Sequence, residues 1–335
     1  MTVFKSHPLF GTKSRWRTGQ RSLCAAHRGF VILAACTVAA FVGSVGTALA
    51  TYPGSHNGRL AFGHDLEPSA TAPEIYSVLP NGNDFHQLTD SSGQNICPAY
   101  SADGKEIAFC SNRSGAFEIW KMKHNGTKQV QITHLGAQAL FPDFSPDGGT
   151  IVFSSPVPGS PALAPPEIWA IDSDGVGPPI RLTNSPGMDG LPVYSPNSTK
   201  IAFISARSGV PQVWVMSADG SNPVQLTFDP APKGQLPDWS PDGTKIAYQS
   251  ATAGNGDIYV MNADGSNQTQ LTKTPENEFG TAWSPDGDEI AFVRVHGPTA
   301  VERAIYVMNA DGSDQHFVHQ GSRVPAWQPL GKRIH

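Results

Sequence analysis

The stretch Trp239-Ser240-Pro241-Asp242-Gly243-Thr244-Lys245-Ile246-Ala247-Tyr248 decides how the rest of the chain is read. An aromatic residue enters a Ser-Pro-Asp-Gly turn and a short apolar run leaves it. Proline presets φ for the second turn position, aspartate bonds nearby backbone, and glycine accepts the left-handed conformation that closes a bulged hairpin. The flanking Trp, Ile, Ala and Tyr favour half-buried strands. Downstream lie Ile258-Tyr259-Val260-Met261-Asn262, a second turn at Ala263-Asp264-Gly265-Ser266, and Leu271-Thr272. This spacing predicts four short antiparallel strands.

The segment recurs. Its first half appears at Tyr100-Ser101-Ala102-Asp103-Gly104, Phe144-Ser145-Pro146-Asp147-Gly148, Tyr194-Ser195-Pro196-Asn197-Ser198 and Trp283-Ser284-Pro285-Asp286-Gly287, with a worn copy at Trp327-Gln328-Pro329-Leu330-Gly331. From Tyr100 to Trp327 the aromatics lie 44, 50, 45, 44 and 44 residues apart. Four strands per period is one propeller blade, and six blades close a ring without exposed sheet edges. The first repeat starts at Gly58-Arg59-Leu60-Ala61-Phe62 with no aromatic-Ser-Pro strand before it, whereas Val324-Pro325-Ala326-Trp327 is such a strand with no blade after it. The predicted fold is therefore all-β: a six-bladed β-propeller whose C-terminal strand completes the N-terminal blade. Eighteen of the thirty aromatics fall at three equivalent positions, which assigns them to packing between blades rather than to ligands.

The pattern Trp-Ser-Pro-Asp-Gly-x-x-Ile-Ala-Phe, then Ile-Tyr-Val-Met-Asn-Ala-Asp-Gly-Ser, then Leu-Thr resembles the repeat of TolB-type propellers. Residues 237–272 and 281–313 match it almost throughout, and the resemblance covers about 57–331. TolB carries an α/β domain before its propeller, and nothing in this sequence corresponds to that domain. The resemblance implies the fold and an extracytoplasmic binding role, and carries over no particular partner.

Residues 1–50 are a different polymer. Lys5, Lys13, Arg15, Arg17, Arg21 and Arg28 precede an uncharged run from Gly29 to Ala50 that ends on Ala48-Leu49-Ala50. A basic flank, an apolar stretch and a small-x-small site describe a secretory signal peptide, with an uncleaved signal anchor or a lipid-bearing Cys36 as the rival readings. The expected domains are thus 1–50 signal and 51–335 propeller, with the latter extracytoplasmic: periplasmic, secreted or at the cell surface. All 28 acidic residues but only 17 of the 23 basic ones lie in that exported part, a net charge near −11. Such a surface offers no footprint for nucleic acid, and membrane contact is expected only through an uncleaved anchor.

No Gly-x-Ser-x-Gly elbow, His-Glu-x-x-His or phosphate-binding glycine loop occurs, so no catalytic residue and no cofactor are assigned. A metal-dependent hydrolase or lyase stays open as the alternative, because propeller ligands come singly from different blades and leave no spacing. The turn aspartates Asp103, Asp147, Asp242, Asp286, Asp264 and Asp311 are read as serving turns, and Arg113 and Arg207, at equivalent places, as loop architecture.

Connection lengths carry more information. Between the Phe/Tyr strand and the Ile-Tyr strand they are 12, 9, 14, 9, 9 and 12 residues for the six blades, while the turns of the opposite face keep nearly constant spacing. The expansions, 63–73, 154–166 and 294–303, share one face, and loops that vary on a rigid scaffold tend to carry function. Ring closure makes the first and last of them neighbours, so His64, Asp65 and Glu67 are expected near Arg294, His296, Glu302 and Arg303 as a candidate polar binding cluster. The proline-rich 154–166 loop suits protein contact. Cys97 and Cys110, each six or seven residues from the Asp103-Gly104 turn, are expected to form a disulfide. The reading is a monomeric scaffold that binds a protein or cell-envelope component through its long-loop face, with carbohydrate as the other ligand class.

Overall fold

The computed structural model describes residues 55–64, 72–161, 163–234, 236–297, 302–320, 323 and 325–331; the signal or anchor expected at 1–50 lies outside them. The described residues form six four-stranded antiparallel sheets and no helix. In blade 2 the strands Asn95–Tyr100, Glu106–Ser111, Glu118–Lys123 and Val130–Gln131 run from the inner edge outward, and blades 3 to 6 repeat that order. Blade 1 consists of His56–His64, Glu74–Val78 and His86–Gln87, and its inner strand is Ala326–Leu330 from the other end of the chain. The expected closure is present.

Each element of the repeat has a local cause. In the first turn the serine hydroxyl donates to the aspartate and accepts the N–H five residues on: Ser240 Oγ bonds Asp242 at 2.6 Å and takes Lys245 N–H at 2.9 Å. Ser101, Ser145, Ser195 and Ser284 do the same, with Asn197 standing for aspartate in blade 4. The threonine of each Leu-Thr pair reaches back to the third strand: the Oγ1 atoms of Thr89, Thr133, Thr183, Thr227 and Thr272 accept the N–H of Ile75, Ile119, Ile168, Val213 and Ile258 at 2.8–3.0 Å. A buried N–H at the start of a strand is expensive to leave unbonded, so this threonine fixes where the third strand begins.

The second turn joins blades. Its glycines have positive φ and lie against a carbonyl of the preceding blade; a Cβ on Gly220 (φ +86°) would come 2.5 Å from Leu182 O, and one on Gly82 would come 2.7 Å from Val318 O across the closure seam. Phe62, Phe109, Phe153, Phe203, Tyr248 and Phe292 are fully buried mid-blade, and the inner-strand aromatics fill the gaps between blades. Trp327 is one of these, and its Nε1 donates to Ala282 O of blade 6 at 3.0 Å. Gly148, also at positive φ, has open space around it. Gly148→Ala should therefore cost only the left-handed strain, about 1 kcal/mol, whereas Gly220→Ala should cost at least about 2 kcal/mol because the blade contact must also open, as read from urea midpoints.

Candidate functional site

Inner strands begin, second strands end and third strands begin on one face of the ring, and that face carries the longer connections. Two of the three expansions differ in form from expectation. The 294–303 segment is mostly strand: Glu289–His296 and Glu302–Asn309 pair as far as His296 opposite Glu302, which extends the hairpin two residues beyond those of its sister blades. Of 63–73, Gly63 and His64 are strand, and Asp65 and Glu67 lie outside the described residues. The 154–166 connection is an irregular loop between Thr150–Ser155 and Glu167–Asp172.

Five of the seven candidate residues, His64, Arg294, His296, Glu302 and Arg303, are among the described residues. His64 is buried among Phe62, Tyr76, Phe85 and His319, its ring 5.6 Å from Tyr76 and from His319. Tyr76, Phe85 and His319 stack in sequence at 4.8 and 4.3 Å, and His319 comes from blade 6. Arg294 is held inside its own blade. Its guanidinium sits 4.4 Å over the Tyr306 ring, and it donates to Glu278 at 2.8 Å and Gln315 at 2.5 Å. His296 bonds the Tyr306 hydroxyl at 3.2 Å, Arg303 lies 5.8 Å over Phe279, and Glu302 is exposed at the hairpin tip. Among the described residues no group of three or more His, Cys, Asp or Glu is arranged to hold a metal.

Arg294 belongs to a pattern. Arg113 stacks 4.7 Å over Trp120 and bonds Asn95, Ser111 and Gln129; Arg207 stacks 4.9 Å over Trp214 and bonds Asp189 and Ser205. In blades 2, 4 and 6 a guanidinium thus covers the second- and third-strand aromatics and ties them to a residue at the start of the inner strand. Fully buried Lys233 holds the corresponding corner of blade 5, bonded to Asp229, Ala231, Ser250 and Thr252. These cations are architecture.

The inner strands carry a feature that the spacing argument missed. Each of those in blades 2 to 6 has a left-handed residue three places before its aromatic: Cys97, Phe141, Leu191, Leu236 and Gly280, at φ between 41° and 67°. Register shifts at Ile96/Ala99, Leu140/Asp143, Gly190/Val193 and Phe279/Ala282 mark the bulge. The signal was the proline that follows, Pro98, Pro142, Pro192 and Pro237, since proline inside a strand points to a bulge. This bulge also sets the geometry around the two cysteines expected to pair. Cys110 stands opposite Ile96, its Sγ accepts Phe141 N–H at 3.3 Å, and Cys97 is offset onto left-handed backbone. The two are carried as thiols in hydrogen-bond contact, and burial first, then Cys97, pushes the Cys110 thiol up.

Two buried acids lie on the same strands. Asp143 and Asp238 each accept the N–H of the next inner-strand aromatic, Tyr194 at 2.8 Å and Trp283 at 2.6 Å, which joins blade to blade. Burial holds both carboxyls well above the usual range. At the start of a third strand, Asp257 is pushed up to about 6 by burial and, second, by the charge of Glu278; the Gln270 and Asn255 amides ease it.

Among the described residues, grooves open between blades on both faces. One, of about 550 Å³, lies on the long-loop face between blades 2 and 3, lined by Asn112, Phe117, Gln138, Pro156, Val157 and Pro161 and by no charged side chain. The other, of about 620 Å³, lies on the opposite face between blades 5 and 6, among Asp242, Lys245, Asp286 and Asp311.

The TolB β-propeller domain model matches residues 37–164 and 231–335. The chain belongs to that family. TolB from Acinetobacter baumannii superposes with a TM-score of 0.71 at 26% identity, over 83% of this chain and 68% of that one. Oligogalacturonate lyase from Vibrio parahaemolyticus shares the fold, with a TM-score of 0.51 at 15% identity over 79% and 74% of the two chains. Dipeptidyl-peptidase 5 from Porphyromonas gingivalis is 35% identical over 54 residues, which is 16% of this chain and only 8% of that peptidase.

For this TolB-family propeller, Arg294→Leu should destabilise the fold by about 3 kcal/mol in urea, because the fully buried Glu278 loses its cation. Asp143 and Asp238 titrate in the opposite sense to a salt-bridged carboxylate. Their raised values stabilise the fold while they stay protonated, and that contribution is lost as pH rises through those values. The Asp143→Asn/Asp238→Asn double variant should therefore lose less stability than the native chain between acidic and alkaline pH, as measured by urea midpoints across that range.

Proposed function

We propose that this chain is an exported propeller scaffold that binds a protein or cell-envelope component through its long-loop face. The observation that carries the reading is the uncharged groove between blades 2 and 3, walled by the proline-rich 156–161 segment on the face where connection length varies. Prolines stiffen that wall before any partner arrives, which lowers the entropic cost of docking. An extended, weakly charged peptide segment is the ligand the groove fits. The opposite face is built from turns whose aspartates and glycines are already committed to hydrogen bonds and blade contacts. Binding is favoured over catalysis because Arg294 and His296 are engaged within their own blade and His64 is packed in an aromatic box. The family resemblance and the basic, then apolar, N-terminal segment support an extracytoplasmic location.

The test is to shorten 156–166 to the length of the corresponding blade 4 connection. Loop-closure costs change slowly with length, so the melting temperature should move by no more than a few degrees. Capture of a partner from envelope extract by the native chain should be lost. Retained capture after shortening, together with loss on altering the Asp242-Gly243 and Asp286-Gly287 turns, would put the binding surface on the other face.

A further inference from the structure

Five seams of the ring are built alike. A residue at the start of an inner strand, or a few places ahead of it, donates its N–H to the residue just before the third strand of the blade before: Asn95 to Pro73, Ala139 to Phe117, Asp189 to Pro166, Lys233 to Pro211 and Glu278 to Gly256, at 2.7–2.9 Å. This sets Glu74, Glu118, Glu167, Gln212 and Asp257, which open those third strands, beside the seam. All five are buried.

The three glutamates are satisfied. Glu74 accepts Ser91 N–H at 3.1 Å and Asn95 Nδ2 at 2.7 Å. Glu118 accepts the Thr133 hydroxyl and, at 2.8 Å, Gly136 N–H. Glu167 accepts Arg181, the Thr183 hydroxyl and Ser185 N–H, while Arg207 neutralises the adjacent Asp189. Gln212 carries no charge; its amide donates to Asp229 O and Ala231 O, and only its Oε1 is buried without a partner. The seam between blades 5 and 6 differs. Asp257 is one methylene shorter than its glutamate counterparts and makes neither the threonine bond nor the loop N–H bond. The Gln270 and Asn255 amides stand near Asp257, but neither of its oxygens, nor Oε2 of Glu278, has a partner in hydrogen-bond geometry, and all three are buried. Glu278 Oε1 takes Arg294 and Thr274, so two carboxylates share one guanidinium where the seam between blades 3 and 4 supplies two.

The surroundings of this seam are also unlike the others. Glycine 256 stands where its sisters have Pro73, Phe117, Pro166 and Pro211, and the Gln249 carboxamide occupies the place of a Cβ there, as it does at Gly234. Three orphaned oxygens, a missing positive charge and a missing methylene therefore coincide at one place.

We propose that the seam between blades 5 and 6 binds one hard divalent cation, of the calcium class, between the carboxylates of Asp257 and Glu278. The donors are oxygens, without imidazole or thiolate, which selects a hard ion. Calcium tolerates irregular coordination and completes its shell with carbonyl, amide and water oxygens, whereas magnesium demands a near-octahedral cage. The ion supplies the charge that a second guanidinium supplies in the seam between blades 3 and 4, and it fastens blade 5 to blade 6.

The experiment is thermal unfolding of the full chain in EDTA and in about 2 mM calcium, with calorimetric titration of calcium; binding confined to the native state should raise the melting temperature by about 5 °C or more, with one ion per chain. Asp257→Asn should abolish the shift and, in EDTA, melt at or above the native chain, because the surplus buried charge is gone. Glu278→Gln should also abolish it but melt lower, since Arg294 loses its partner. Asp147→Asn, in an exposed turn, should keep the full shift. A native chain that melts alike in EDTA, calcium and magnesium overturns the proposal, as does a shift that survives in Asp257→Asn. Stabilisation by acid alone, without response to calcium, would assign the gap to a proton and overturn it equally. If Asp257→Asn fails to fold, Glu278→Gln and the native titration decide.

Discussion

The pairing of Ala326–Leu330 with His56–His64 joins the two ends of the propeller, and the other contacts of the ring presuppose it. Trp327 donates to a carbonyl of blade 6 while its strand completes blade 1, so one residue belongs to both sides of the seam. Gln328 carries the link onward by donating to Gly104 O of blade 2 at 2.9 Å. Once the ring is closed, each second-turn glycine has a preceding blade to rest on, and Asp143 and Asp238 have a following blade whose N–H they can accept. Without closure, blade 1 lacks its inner strand and the inner-strand aromatics at that seam face water.

Closure also divides the labour between the faces. On one, Ser-Pro-Asp-Gly and Asp-Gly turns use their polar groups internally and their glycines against neighbouring carbonyls, which leaves little freedom for change in length. On the other, connections end in strand starts already pinned by threonine hydroxyls, so a loop can lengthen without moving the blade beneath it. The proline-walled groove and the Asp257–Glu278 seam both belong to this second face.

The fold was legible because its causes are local and repeated: a turn that needs proline, aspartate and glycine in order, a threonine that must sit where the third strand starts, an orphan strand at each end. The candidate cluster was less legible. Counting residues between motifs measures the length of a connection but not whether it is loop or strand, so 294–303 read as loop although Arg294 and His296 continue a hairpin. Placing Arg294 required knowing that Glu278 and the Tyr306 ring stand beside it, contacts between strands that no spacing records. The geometry around the cysteines turns on something smaller, a single bulged residue before Pro98. The seam acids were invisible for another: Asp257 differs from Glu74, Glu118 and Glu167 by one methylene, which matters only when the partners it fails to reach are in view.

That proline bulge has a consequence during synthesis. Blades emerge in order from the ribosome, and blade 1 waits for its inner strand until Ala326–Leu330 is made. Through that interval the nascent chain holds several nearly identical edge strands, the situation in which neighbouring copies cross-pair into aggregates. A left-handed residue followed by proline breaks the ladder of each inner strand of blades 2 to 5 in mid-course, so two such strands from different molecules cannot zip along their length. The kink that shapes the inner wall of the finished ring is thus a safeguard for the unfinished one.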